Sequence, residues 1–383
     1  MSRFNTARSA HYHFAMPDLH EGRRRPAYGS AMSRRHFFAV AAASLSVAGC
    51  GVLGAASAAL AKGSDSGSAA ASPASEETQG KIKVVASFYP MADFAQKVGG
   101  DLVEVTNLVP AGTEPHEWEP SPSDIKAIQA CDVFVYNGAD MEGWVDDLLA
   151  STDMSGVQVV EASKGVTLRV ADHSHDASES DESAEADASG ASKGESDEKE
   201  DSDHDQEGTH DPHVWLYPLN ALTELGNIRD GLIAADPDHE DDYQANYDAY
   251  AEKFEALDKE YSERLGATKG KVIVVSHEAY GYLCDAYGLT QMPITGMDAE
   301  GEPDAKTMAE IVDFVRDNDV KTIFSEELVS TKVAQAIADE TGATCEVLNP
   351  VEGLTDEELA AGQDYLSVME DNLDKLVAAL DEE

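Results

Sequence analysis

DHEDDYQANYDAYAEKFEALDKEYSERL, residues 238–265, contains neither glycine nor proline. Its large apolar residues are Tyr243, Tyr247, Tyr250, Phe254, Leu257 and Tyr261. Spacings of three and four place them on one face of a long helix. A helix of this length between two regions of similar texture predicts a comparatively stiff connection between two lobes.

On the upstream side, IKVVASF (82–88) is a β-rich run followed by a helix-like stretch at 91–98. Residues 103–109 form a second expected strand, ending at Pro110. Ser121-Pro122-Ser123-Asp124 supplies N-cap chemistry for a helix reaching residue 130, and 132–136 is another short strand. The pattern restarts downstream, with strands at 271–276, 321–324 and 344–348 and helices at 278–287, 305–318, 332–341 and 365–380. Strand and helix alternating at this spacing imply βαβ units and parallel sheets. The expected fold class is α/β: two α/β lobes with parallel sheets (81–235 and 269–383) joined by one long interlobe helix (236–268).

The 383 residues are 42% hydrophobic, enough for the cores of two ordinary domains. The formal net charge of −47 is partly local, because residues 172–211 hold sixteen Asp and Glu against two Lys. Such a block is expected to be solvated and disordered. This acidity argues against nucleic acid, which needs Lys and Arg, and favours cations. The block reads either as a solubilising spacer or as a cation collector. Cys50, Cys131, Cys284 and Cys345 form no CxxC pair, which argues against a structural cysteine zinc module. Cys284 and Cys345 are either a disulfide in an oxidising compartment or buried free thiols.

The N-terminus reads as an address, with residues 1–50 an export signal. Ser33-Arg34-Arg35-His36-Phe37-Phe38 precedes an apolar run of only about a dozen residues, too short for a mature membrane span. The paired arginines resemble a twin-arginine signal. Val47-Ala48-Gly49-Cys50 resembles a lipobox, whose cysteine would be lipidated and become the mature N-terminus. Met32 would be a more ordinary start than Met1. Residues 51–80 read as a flexible tether, so the mature protein is expected to be anchored to a membrane and not to cross it.

Open parallel sheets bind ligands beyond the carboxyl ends of their strands. That rule selects His116 in the loop after the second strand, His277 directly after 272–276, and Glu352 just past the last strand. His213 is added where order should resume after the acidic block. Three imidazoles and one carboxylate suit Zn²⁺, bound tetrahedrally by N and O donors. Spacing alone ties these four residues together only weakly.

Gly112-x-x-Pro115-His116-x-Trp118-Glu119-Pro120, Asp211-Pro212-His213-x-Trp215-Leu216, Ser276-His277-x-Ala279-Tyr280 and Leu348-Asn349-Pro350-Val351-Glu352-Gly353 occur in that order. Together they resemble the zinc-uptake branch of the metal-binding solute-binding proteins of ABC transporters, over roughly 81–380. The resemblance implies two lobes bridged by a long helix. It implies a metal between the lobes, held by His116, His213, His277 and a carboxylate. His277, where manganese-binding relatives typically carry Glu, points to zinc. For the fourth ligand Glu352 is chosen, with Asn349, Glu114 and water as alternatives, and Glu326 is read as supporting or structural. Zinc-binding relatives often carry a His- and acid-rich insert before the second ligand motif, matching His173, His175, His204 and His210. Trp118, Trp215, Tyr280 and Tyr282 are read as packing around the cleft.

The expected function is extracytoplasmic Zn²⁺ capture by a lipoprotein anchored through Cys50, acting as a monomer that delivers zinc to an ABC transporter permease. It is not expected to be an enzyme. The rivals are a manganese or iron carrier, a metallohydrolase using Glu352 as base, and a surface adhesin.

Overall fold

The computed structural model describes residues 80–171 and 210–381. The export signal, Cys50 and nearly all of the tether lie outside the described residues, as does the acidic block up to residue 209. His210 and Asp211, counted above with that block, belong to the fold.

The first sheet contains β1 (Ile82–Ala86), β2 (Val103–Asn107), β3 (Val133–Tyr136) and β4 (Gln158–Glu161), all parallel, in the order β2-β1-β3-β4. Helices α1 (Tyr89–Gly99), α2 (Pro122–Gln129), α3 (Val145–Ser151) and α4 (Pro218–Ala235) accompany it. The Ser121 side chain accepts from Ser123 N, and Asp124 accepts from Ser121 N, so α2 begins with a capping box. In α4, a Cβ at Gly231 would lie 2.2 Å from Val160 Cγ2. Glycine there lets the helix close on β4.

The long helix α5 runs Glu240–Ala267, inside the expected 236–268 and two residues later at each end than the glycine- and proline-free run 238–265. Pro237–His239 form a 3-10 turn, held by Asp236 accepting from His239 Nδ1 at 2.6 Å and from Tyr243 Oη at 3.0 Å. Tyr243, Phe254, Leu257, Tyr261 and Leu265 are buried, while Tyr247 and Tyr250 are half-buried.

The second sheet repeats the first. β5 (Val272–Val275), β6 (Thr290–Pro293), β7 (Thr322–Ser325) and β8 (Thr344–Val347) run parallel in the order β6-β5-β7-β8. Around them are α6 (Gly281–Tyr287), α7 (Ala305–Asp317), α8 (Lys332–Thr341), α9 (Asp356–Ala361) and α10 (Tyr365–Asp381). Helices α7 and α8 enclose a separate core of Val274, Ile311, Val315, Ile323 and Ile337. The last helix returns to the first half: Tyr365 meets Phe94 of α1 edge-on at 5.0 Å and stacks on Phe254 of α5 at 5.1 Å. Two corrections follow. Helix α6 starts at Gly281 rather than 278, and β4, β6, α3, α4 and α9 join the expected elements. Of the two readings for Cys284 and Cys345 the structure has the free thiols, Cys284 buried and Cys345 half-buried. Among the described residues no helix is long and apolar enough to cross a membrane.

Candidate metal centre

In each sheet the strand order reverses beside the first strand in sequence, between β1 and β3 and between β5 and β7. Crevices form at the carboxyl ends of strands at such points. His277 follows β5 by two residues and Glu326 directly follows β7. His116 lies in the loop between β2 and α2, His213 starts the segment leading into α4, and Glu352 lies between β8 and α9.

These elements bring the four predicted residues together. His116, His213, His277 and Glu352 offer donor atoms that all lie within 4.8 Å of one another. Nε2 of His213 is 3.2 Å from Nε2 of His116 and 3.1 Å from Nε2 of His277. Glu352 Oε1 lies 3.3 Å from His116 Nε2, 3.0 Å from His213 Nε2 and 3.1 Å from His277 Nε2. A tetrahedral zinc with ligands at about 2.0–2.1 Å separates its donors by about 3.3–3.4 Å. Five of the six separations therefore lie within a few tenths of an ångström of that spacing. His213 and His277 are fully buried and Glu352 nearly so, while the His116 side chain is 14% exposed.

Each buried imidazole is aimed by a carboxylate. Asp211 Oδ1 accepts from His213 Nδ1 at 2.9 Å and from His213 N at 3.0 Å. Glu326 accepts from His277 Nδ1 at 2.8 Å and from His277 N at 3.2 Å. A carboxylate only accepts, so both rings keep the proton on Nδ1 and turn Nε2 toward the centre. Burial opposes charge on His277, but Glu326 and Glu352 lift its pKa well above the ordinary value. His213 is likewise raised against burial by Asp211 and Glu352. Burial pushes the Glu352 carboxyl up, yet the charges of His277 and His116 hold it well below the usual carboxylate range.

The alternative fourth ligands are engaged elsewhere. Glu114 folds back on its own loop, accepting from His116 N at 2.9 Å. Asn349 Oδ1 accepts from Val351 N at 2.6 Å. Val351 has φ +59°, unusual for a β-branched residue. Asn372 clamps Asn349 from both sides, donating to its carbonyl at 2.6 Å and accepting from its N at 3.0 Å. Asn349 thus shapes the turn that presents Glu352. Of the aromatic residues, Trp118 packs on Trp144, and Tyr280 Oη donates to the Leu348 carbonyl at 2.8 Å. Asp211 was the supporting residue to which sequence reasoning gave no role. The signal was local, since Asp two positions before His can accept both its backbone and ring N–H.

Residues 84–379 match the family described as ZnuA, zinc-uptake complex component A, periplasmic. The zinc-binding protein AdcA of Streptococcus pyogenes serotype M3 is 41% identical over 301 residues, covering 78% of this chain and 56% of AdcA. This chain thus spans little more than half of that relative. The high-affinity zinc uptake system protein ZnuA of Bacillus subtilis is 38% identical over 343 residues, 90% of this chain and 96% of that protein. The crystal structure of the Zn(II)-bound ZnuA-like domain of Streptococcus pneumoniae AdcA superposes with a TM-score of 0.64 at 37% identity, covering 79% of this chain and 100% of that one.

Proposed function

This chain belongs to the ZnuA family of zinc-uptake components, and we propose on that premise that it captures Zn²⁺ outside the cell and passes it to the permease of an ABC importer. The ligands in this reading are His116, His213, His277 and Glu352. The observation that carries it is the convergence of three Nε2 atoms and one carboxylate oxygen at near-tetrahedral separations.

Three imidazole donors with a single oxygen suit Zn²⁺ better than Mn²⁺, which prefers carboxylate, carbonyl and water oxygens. Four protein donors also complete the zinc shell, leaving no position for the water that a catalytic zinc activates. The partly exposed His116 supports entry and release past that residue, with the other three donors fixed behind it. Val47-Ala48-Gly49-Cys50 supports anchorage of the mature protein through a lipidated Cys50 on the outer face of the cell membrane.

The test is a chelator-controlled titration of the purified protein with Zn²⁺ and Mn²⁺. One tight Zn²⁺ per chain that outcompetes Mn²⁺, and is lost in His213→Ala and His277→Ala, supports the reading. Tighter Mn²⁺ would keep the carrier class and change its cargo, and binding of neither metal would remove the site.

A further inference from the structure

The two chain segments flanking residues 172–209 meet beside the metal centre. Val170 and His210 pair as an isolated antiparallel bridge, and Asp211 N donates to the Arg169 carbonyl at 3.0 Å. There, Arg169 Nη1 donates to Asp211 Oδ2 at 2.9 Å, while Asp211 Oδ1 holds the ring of His213. Arg169 Nε reaches Asp285 on α6 at 2.7 Å. Tyr282, on the same helix, accepts from Arg169 N at 3.0 Å and donates to the Asp211 carbonyl at 2.9 Å. A Cβ at Gly281 would lie 2.0 Å from Arg169 Nη1 and 2.4 Å from Asp211 Oδ2. The ion pair therefore occupies the space a side chain would need at the start of α6.

We propose that Arg169 is a positioning residue for metal capture, gripping Asp211 so that the His213 ring is fixed. This rests on the zinc-carrier reading above. Glu352, Asp211 and Glu326 place three carboxylates around the centre, and Arg169 sets its positive charge against Asp211 and Asp285. Among the described residues no lysine or arginine pairs with Glu326, so the cation serves the His213 side alone.

Removing Arg169 has two opposed effects. One more unbalanced negative charge would draw a cation harder. Against that, the fully buried Asp211 would lose the donor to Oδ2, and an unpaired buried charge is strongly destabilising. The second effect prevails: Asp211 turns toward another donor and its hold on His213 goes with it. Loss of a ligand's hydrogen-bond partner weakens metal binding by about 10–100-fold, and Arg169 acts one bond further out.

The test uses the full protein, Zn²⁺ under chelator competition, and Co²⁺ as a spectroscopic probe of ligand geometry. Arg169→Gln is expected to weaken Zn²⁺ binding about tenfold and to shift the visible Co²⁺ band, with Asp285→Asn affecting Zn²⁺ far less. A wild-type Zn²⁺ affinity and Co²⁺ band in Arg169→Gln would overturn the proposal. So would an equal loss in Asp285→Asn, which would make Arg169 a latch onto α6 instead. Should Arg169→Gln not fold, Arg169→Lys decides, because it keeps the charge and loses the planar fork; wild-type behaviour in both assays rejects the proposal. Failure of the wild-type protein to bind Zn²⁺ would count against the carrier reading itself.

Discussion

Trp215 Nε1 donates to the Pro350 carbonyl over 2.7 Å. Trp215 follows His213 by two residues and Pro350 precedes Glu352 by two, so one bond fastens an imidazole loop to the carboxylate loop. The indole is fully buried, meets Phe88 edge-on at 5.0 Å, and its residue's carbonyl accepts from Tyr365 Oη at 2.6 Å. Trp215→Phe keeps an aromatic ring but leaves the Pro350 carbonyl without that donor, a loss of about 1–3 kcal/mol. A lower melting temperature and several-fold faster zinc release to a chelator are expected. Unaltered release would mean that the two loops are held independently.

Asn349 and Glu352 separate a supporting role from a ligating one. Glu352→Ala removes one of four donors, and zinc affinity should fall by at least 100-fold, the upper end of what a supporting residue alone gives. Asn349→Ala removes the acceptor for Val351 N in a turn already holding a β-branched residue at positive φ. That change should weaken zinc about tenfold and lower stability in the metal-free protein as well. Equal losses in the two variants, measured by competition titration, would contradict the assignment of Glu352 as the ligand.

The parts of the molecule legible in its sequence are those decided by local periodicity. The face from Tyr243 to Leu265 specifies α5, and alternation of short β-rich runs with capped helices specifies the parallel sheets. The four candidate residues were legible because each follows a strand or lies in a motif. Elements decided by tertiary contact were not. Gly231 lowers the helical propensity of α4, and only its contact with Val160 explains it. β6 ends in Pro293, tolerated because that strand lies at a sheet edge. At the start of α6, Arg169 and Asp211, far away in sequence, occupy the space a side chain would need at Gly281.

The raised pKa values of His213 and His277 set opposite pH trends for the metal-free and zinc-loaded protein. A group whose pKa is raised by folding contributes stability fully below its unfolded value, about 6.5 for His, and loses it as pH rises through the folded value. Zinc requires the neutral imidazoles and so displaces their protons in that window. Glu352, depressed on folding, contributes above its unfolded value of about 4.3 and loses that contribution only in more acidic solution. Metal-free stability should therefore decline from about pH 6.5 upward while zinc affinity climbs. The zinc-induced rise in melting temperature should grow between about pH 6 and pH 8. A rise that stays constant across that range would show that these imidazoles carry no proton in the metal-free protein.

Residues 172–209 carry fifteen acidic residues and two lysines, and none of the four candidate ligands. The bridge between Val170 and His210 holds the two ends together, so a short turn can replace the segment without moving Asp211 or His213. Equilibrium affinity for zinc should then stay within about threefold, because the donors and their carboxylate partners are untouched. The association rate should fall, since a concentrated negative charge near a binding site raises cation encounter rates by about tenfold or more at low salt. Stopped-flow zinc uptake at two ionic strengths separates the possibilities. A slower rate with weaker salt dependence identifies the segment as an electrostatic collector, and identical rates at both salts identify it as a spacer.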